Sequence, residues 1–435
     1  MSVAAAYGPS RKLTMDTGWS QACRMNLAYF EDSGTTQLYP LTWLRAAFEL
    51  RCGCDCLIDK LRAAVPFPLA RVFLRPWVAE VVAERTPLDR PESGADWCLV
   101  NVRALFSRPV ELPRPGVVWR QEGDLVAAAL RPGEIEPLTA EFFQDPARLD
   151  EWAATRRVEE TPRHVRLIRH PWDLAAANDA ELRRQLRDFG VADEAQVYPG
   201  AYLVCPGQIF IDRRARIKPG AVLDAEEGPI HIAHDVVIQP NAVVEGPCYI
   251  GPQSIVRPGA AIRAGTTIGP ACKVGGEIEA SIFQGFSSKQ HDGFLGHSFI
   301  APWANLGADT VTSDLKNTYG TVRVSINGVG VETGQQFVGS IIGDHAKTGI
   351  GTILPTGCVI GVAANVFTRQ VAPRFVPSFA WLTDEGLIPY RVDKALQIAR
   401  IVMGRRDVEL GPAERLLLEQ VAVRAREVES AGWPA

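Results

Sequence analysis

Two histidines six residues apart, His291 and His297, lie in the stretch SSKQHDGFLGHSF (287–299), and the whole 435-residue chain has only seven. A neutral imidazole can take a proton from an amine or hydroxyl near neutral pH, so either ring is a candidate general base. Lys289 stands beside them, and an ammonium in such a place suits contact with phosphate. The other provocative cluster is RCGCDC, with Cys52, Cys54 and Cys56. Alternating thiols could ligate a metal, but no second Cys/His pair at zinc spacing follows, so small buried residues are the expectation and no metal is assigned. Nine cysteines is an odd number, which suits free thiols better than a disulfide framework.

The element that must carry the histidines announces itself by period. Ile232, Ile238, Val244, Ile250, Val256, Ile262, Ile268 and Val274 are six apart, and Ile211, Ile217 and Leu223 keep the same step upstream. If each position had about a one-in-four chance of being Ile, Leu or Val, the run would arise by luck on the order of once in 10⁵ trials. Four residues after the apolar one comes a small one: Ala242, Cys248, Ser254, Ala260, Thr266, Cys272. Turn formers lie between, such as Pro240, Pro252, Pro258 and Gly265. This is the signature of a left-handed parallel β-helix of hexapeptide repeats, in which three hexads make one triangular coil. The period resumes as Ile342, Thr348, Leu354, Ile360 and Val366.

Between the two blocks the register slips: Val274 to Ile282 spans eight residues, and TSDLKNTYGTVRVSINGVGVETGQQ (312–336) has no hexad pattern. Departures from a stacking wall are where loops leave it, and loops on a rigid scaffold carry function. Lys289, Lys316 and Lys347 sit in or beside these departures, among only eight lysines. Successive corners of a triangular coil point in different directions, so His291 and His297 do not chelate one ion. His291 falls at a corner, as a base or as a solvated turn residue. His297 occupies the equivalent corner six residues on and reads as structural. Asp309 lies eighteen residues after His291, one full coil, where it could hold the imidazole's tautomer.

The rest of the chain frames this domain. Residues 1–190 mix apolar runs such as WCLVNVRALF with a helical pattern over HPWDLAAANDAELRRQLRDFG, in which Asn178 or Asp179 could cap the start. This reads as an α/β domain. Residues 195–370 form the β-helix, and 371–435 a short C-terminal helical tail of two helices divided near Asp407 to Pro412. Cofactor binding by the tail has no support. Apolar residues make up 46% and charged ones 22%, with a net charge of −4, which calls for neither nucleic acid nor an anionic membrane. The first twenty residues hold no long apolar core and no run approaches about 20 apolar residues. A cytoplasmic protein is expected.

The segment DGFLGHSFIAPWANLGADTVTSDLKN (292–317) resembles the acetyltransferase half of the bifunctional N-acetylglucosamine-1-phosphate uridylyltransferase/glucosamine-1-phosphate N-acetyltransferase family. LYPLTWLRAAFELRCG, GDHAKTGIGTILPTGCVIGVAANVF and VPSFAW extend the likeness, which is loose over residues 60–165. The resemblance implies a divergent nucleotidyltransferase-like N-terminal domain, acetyl-CoA as acyl donor, a sugar phosphate or nucleotide-sugar as partner, and a homotrimer. It puts His291 at the catalytic histidine and Asn305 at the asparagine of the N-x-G-A motif; Asp309 is a candidate by its spacing alone. Phe294 and Asp314 fall at substrate contacts, and Thr348 and Gly349 on the coil segment that meets acetyl-CoA; the placement of Lys289 and Lys316 adds candidate substrate contacts, and that of Lys347 a candidate donor contact. Phe294 stands where the family has tyrosine, Asp314 and Leu315 replace an asparagine–tyrosine pair, and Glu279 stands about where a phosphate-binding lysine is expected. A different acyl acceptor follows.

The usual glycine-rich phosphate loop is absent from the N-terminal half. Arg45 and Arg51 could meet phosphates, with surface ion pairs as the plain alternative, and Glu49 could order them. Asn101 lies where a metal-binding aspartate is expected; Mg²⁺ would be needed if this domain is active. Nucleotidyl transfer and simple nucleotide-sugar binding both stay open for it.

Overall fold

The structure is a computed structural model that describes residues 24–65 and 67–433. The N-terminal stretch read for a leader, with Lys12, lies outside the described residues.

The α/β domain is built on a six-stranded mixed sheet in the order Leu69–Phe73, Met25–Phe30, Asp96–Asn101, Asp124–Leu130, Val117–Gln121, Arg157–Glu160. Met25–Phe30 is buried along its whole length and pairs in parallel on both sides, which explains its unbroken run MNLAYF. Glu122 and Gly123 both have positive φ and close the hairpin into Asp124–Leu130. The helix read near Asn178 starts earlier, at Pro171, and runs to Gln185. Proline suits the first helical turn, and Asn178 is no cap. It sits mid-helix, fully buried, and its amide crosses to the β-helix instead.

The expected β-helix follows. Ten parallel strands from Gly190–Val191 to Phe375–Val376 make the first wall. The second begins at Gln196–Val197 and the third at Tyr202–Val204, each six strands long before it continues through shorter pairings. The coils therefore extend beyond both predicted limits, to Ala380–Thr383. The hexad residues line the interior: Ile232, Ile238, Val244, Ile250, Val256, Ile262, Ile268 and Val274 are all fully buried. Burying such a side chain contributes about 1.5–3 kcal/mol, so the column is the main support of the coil. Cys248, Cys272 and Cys358 are buried, free packing residues as the small slot requires. One corner uses a left-handed residue in coil after coil: Arg214, Asp235, Gln253, Ala271, Phe286, Trp303, His345, Ala363 and Phe379.

The slip before His291 has a different form from the one read in the sequence. Ile282 faces outward into the α/β domain's core, and the interior residues are Ile278 and Phe283. Phe283 stacks on Ile268 and Lys289 on Val274, so each step here is 15 residues instead of 18. The coil is shortened, not lengthened. The second irregularity, 313–340, is an insertion that leaves the third wall after Val311–Thr312 and returns at Ile341–Ile342. It contains the hairpin Arg323–Ile326/Val329–Glu332, turned at Asn327–Gly328 with both φ positive.

Four regions share one hydrophobic cluster: the α/β domain, the outer side of the first wall (Ile282, Phe299, Ile341, Val359), the insertion (Val322, Val324, Ile326) and the C-terminal helices Val392–Gly404 and Pro412–Val428. The tail packs on helix Pro76–Arg85, and its end, from Glu429 to Gly432, meets the last coil at Phe375 and Ser378 as expected. Met403 and Val408 also cover the corner column at Ala271, Phe286 and Trp303. The α/β domain thus covers the first wall and the tail one corner, while among the described residues the third wall is left open.

Candidate functional site

His291 is exposed on the corner loop between the second and third walls, directly after the shortened step. What holds that corner is Lys289. Its position in the stack, between Val274 and Leu306, is an interior slot, and the side chain is 1% exposed. The ammonium turns up inside the coil and donates to the carbonyls of Gly275 (3.2 Å), His291 (2.9 Å) and Asp292 (3.3 Å). Burial pulls this lysine down to about 8. Lys289 is therefore turned away from any outside phosphate. Asp309 is also displaced from its expected partner. The coils here repeat after 17 residues, Ile278 to Leu295 and Ser288 to Asn305. The carbonyl of Thr310 comes against Gly293, so Asp309 falls past His291.

Asn305 points outward on the second wall between Ser288 and Lys347. Lys347 donates to the His345 carbonyl at 2.9 Å and, like Lys289, is drawn down to about 8 by burial. Two of its N–H groups remain for a ligand. Thr348 is an interior residue bonded to Thr310 Oγ1 at 2.7 Å, and the Gly349 carbonyl lies tight against Gly307. Both belong to the wall. Lys316 donates to the Thr321 carbonyl within the insertion.

At the far end of strand Phe294–Gly296 the structure brings together residues the sequence did not pair. His297 Nδ1 lies 2.8 Å from Asp314 Oδ2, and its ring stacks on Phe337 with centroids 5.1 Å apart. The backbone makes room: a Cβ at Gly296 would sit 2.1 Å from the Asp314 carboxylate and 2.6 Å from the Phe294 ring. One at Gly339 would meet the Gly296 carbonyl at 1.8 Å. The carboxylate fixes the Nδ1–H tautomer and leaves Nε2 for a ligand. Beside it is a cleft of about 330 Å³ lined by Trp172, Ala175 and Ala176 of the α/β domain and Gln335, Gln336 and Phe337 of the insertion. His297 reads as structural from its corner position alone, and its contact with Asp314, seventeen residues on, arises only because the coil is shortened.

The residues singled out in the α/β domain are mostly joints. Arg45 pairs with Asp344 and donates to the Leu41 carbonyl, and Arg51 bonds Gln284 of the β-helix. Glu49 accepts from the Ala46 N–H and faces Arg85. Burial pushes its carboxyl up, against the pull of Arg85. Asn101 is fully buried: its amide donates to Asp32 and to the Leu125 carbonyl, and its oxygen accepts from the Arg103 N–H. Asp32 in turn is gripped by Arg103 at 3.0 and 2.6 Å. Mg²⁺ wants free oxygen ligands. Here the amide oxygen is taken, the carboxylate is neutralised, and the described residues hold no group of three metal-capable side chains. The residues do not fit the ion. Cys52 and Cys56 are buried with thiols pushed up to about 12, which keeps them protonated.

A cationic group on the second wall, Arg257 and Lys273 with Arg405 and Arg406 of the tail, was not anticipated either. Its only sequence signal is the pair GRR between two helices.

An α/β nucleotidyltransferase-like domain joined to a hexapeptide β-helix is the class this architecture defines. Residues 27–190 match the family model described as sugar nucleotidyl transferase. The chain is similar to a bifunctional sugar-1-phosphate nucleotidylyltransferase/acetyltransferase of Sulfurisphaera tokodaii, 31% identical over 24% of this chain and 26% of that protein. It is also similar to the bifunctional protein GlmU of Methanococcus vannielii, 30% identical over 26% of this chain and 28% of the other. These matches thus span little more than a quarter of the relatives' length. The resemblance read from the sequence agrees with both. Among solved structures, a Francisella novicida UDP-N-acetylglucosamine acyltransferase aligns over 56% of this chain and 89% of its own, at 15% identity and a TM-score of 0.28.

Proposed function

We propose that the chain is a transferase that moves an acetyl group from acetyl-CoA to the amine of an amino-sugar phosphate or nucleotide-sugar. The amine nitrogen attacks the thioester carbonyl, His291 takes the amine proton, the C–S bond breaks, and the thiolate leaves with that proton. The observation that carries the reading is the placement of His291: exposed, on the corner that a buried ammonium pins from inside. Asn305 and Lys347 stand on the adjoining wall, Lys347 as a contact for donor phosphates. The protein acts in the cytoplasm. Three copies associate through the open third wall, where Ile353 is 42% and Val371 60% exposed one above the other, with Ile350 80% exposed on the edge. The α/β domain binds the nucleotide-sugar without a Mg²⁺-dependent step.

A second reading, with His297 as the base, is favoured by its contact with Asp314. Thiol release from acetyl-CoA over a panel of amino-sugar phosphates separates the two. Loss of about 10²–10⁴-fold in His291→Ala with activity kept in His297→Asn supports the first; the reverse supports the second. Magnesium-dependent pyrophosphate release from a nucleoside triphosphate and a sugar 1-phosphate, with no thiol release, would replace both by the nucleotidyltransferase alternative.

A further inference from the structure

Several arginines of the β-helix and the tail are answered by a carboxylate, as in Arg214–Asp235, Arg263–Glu245 and Arg391–Asp393. Arg257, Lys273, Arg405 and Arg406 are not: no carboxylate among the described residues pairs with any of them. They come from two places. Arg257 and Lys273 stand on the second wall, one coil apart, and Gly275 is tight against Arg257 Cβ. Arg405 and Arg406 follow helix Val392–Gly404, whose end is tied to the corner by Met403 and Val408 against Ala271, Phe286 and Trp303. From there Arg406 reaches over the wall. It donates to the Ala271 carbonyl at 2.8 Å and to Ser288 Oγ at 3.3 Å. Ser288 is the residue stacked on Lys273, so the tail arginine and the wall lysine share one column.

The charges press on each other. Lys273 is held below the usual lysine range, first by Arg406, then by burial, Arg405 and Arg257. Such a cluster costs free energy in the empty protein and becomes favourable when an anion enters it. The same column runs on from Ser288 to Asn305 and Lys347, at about 5 Å per rung. The cluster therefore lies one rung from Ser288, on the coil that carries His291, on the wall that adjoins its corner.

We propose that Arg257, Lys273, Arg405 and Arg406 form a phosphate-binding site, built jointly by the wall and the C-terminal turn, that takes the diphosphate of a cosubstrate lying along the second wall. The tail, which had no assigned part in binding, thus supplies half of the site. A diphosphate fits because four cations exceed what one phosphomonoester neutralises, and Arg406 is already oriented by two wall bonds. Coenzyme A and a nucleotide-sugar both carry this group. The choice of these ligands rests on the acyl-transfer reading; the anion site itself does not.

Calorimetric titration of the full chain tests it, with inorganic pyrophosphate as the probe and coenzyme A, UDP-N-acetylglucosamine and pantetheine as further ligands. Lys273→Gln/Arg405→Gln removes two charges that hold no structural bond, and Arg406→Gln is the second variant. The double variant should weaken pyrophosphate at least tenfold and flatten the salt dependence of binding. An equal loss for coenzyme A, with pantetheine unaffected, assigns the site to the acyl donor; an equal loss for UDP-N-acetylglucosamine assigns it to the acceptor. Unchanged affinity for all of them in both variants overturns the proposal. If wild-type protein releases no thiol yet loses pyrophosphate binding in the double variant, the site stands and the acyl-transfer reading falls.

Discussion

Arg45 and Asp344 meet across the joint between the α/β domain and the β-helix, with Arg45 Nη1 donating to Asp344 Oδ2 at 2.9 Å and the side chains only 5% and 1% exposed. The pair is closed from water on both sides, and removing one partner strands the other. Arg45→Met should therefore cost about 3–5 kcal/mol of unfolding free energy, and Asp344→Asn a similar amount. The double substitution should cost clearly less than the sum of the two. Denaturant unfolding of the four proteins reads the coupling; strict additivity would remove the joint role given to this pair.

Lys289 offers a prediction in pH. Its folded value is about 8 against an ordinary 10.5, because burial disfavours the ammonium. Between those values the unfolded chain holds a proton that the folded chain does not. Stability from this group therefore rises with pH across about 8 to 10.5, by on the order of 1 kcal/mol per unit. The difference in unfolding free energy between wild type and Lys289→Met should grow in the wild type's favour over that window. A flat difference would mean that the ammonium is not confined inside the coil.

How much of this was legible depended on what each position must satisfy. The interior column of the coils admits little but branched apolar residues, so its period stood out unaided. Lys289 broke the rule at the one corner that needed a donor for three carbonyls, and only the stacking of Val274 beneath it shows that it points inward. The same shortened coil hid the meeting of His297 and Asp314 and moved Asp309 past His291. Asn327–Gly328 carried a clear hairpin signal within a stretch that otherwise lacked pattern. The arginines were harder. Whether a guanidinium answers a phosphate or a distant carboxylate is decided by contacts hundreds of residues away, as between Arg45 and Asp344.

Glu429 tests the anchoring of the tail. Its buried carboxylate accepts from the Trp43 indole at 2.9 Å and from Ser378 N and Oγ at 2.6 and 3.0 Å, tying the last helix to both domains. Burial raises its carboxyl above the usual range, partly offset by these bonds. Glu429→Ala leaves buried donors unpaired and should cost about 2–4 kcal/mol. Limited proteolysis should then cut between Val392 and Val428 while the coils stay protected. Cleavage at the wild-type rate would mean that the helices hold by apolar packing alone.

The third wall decides assembly. The α/β domain occupies the first wall and the tail sits on one corner, so an apolar contact between copies is left with Ile353, Val371 and the edge residues Ile350 and Phe367, which is 44% exposed. On the same wall the strands before His291 carry the ion-paired ladder Glu245–Arg263–Glu277, which is already satisfied within one chain. Association should therefore depend on the later coils. Ile353→Glu puts an unpaired charge into any apolar contact between copies there, while the exposed position leaves the coil's interior untouched. Sedimentation should find a trimer for the wild type and monomers for Ile353→Glu, with unfolding of the isolated chain little changed. If His291 works at the contact between copies, thiol release should fall with the trimer. A trimer that survives the substitution would place the contact on another face.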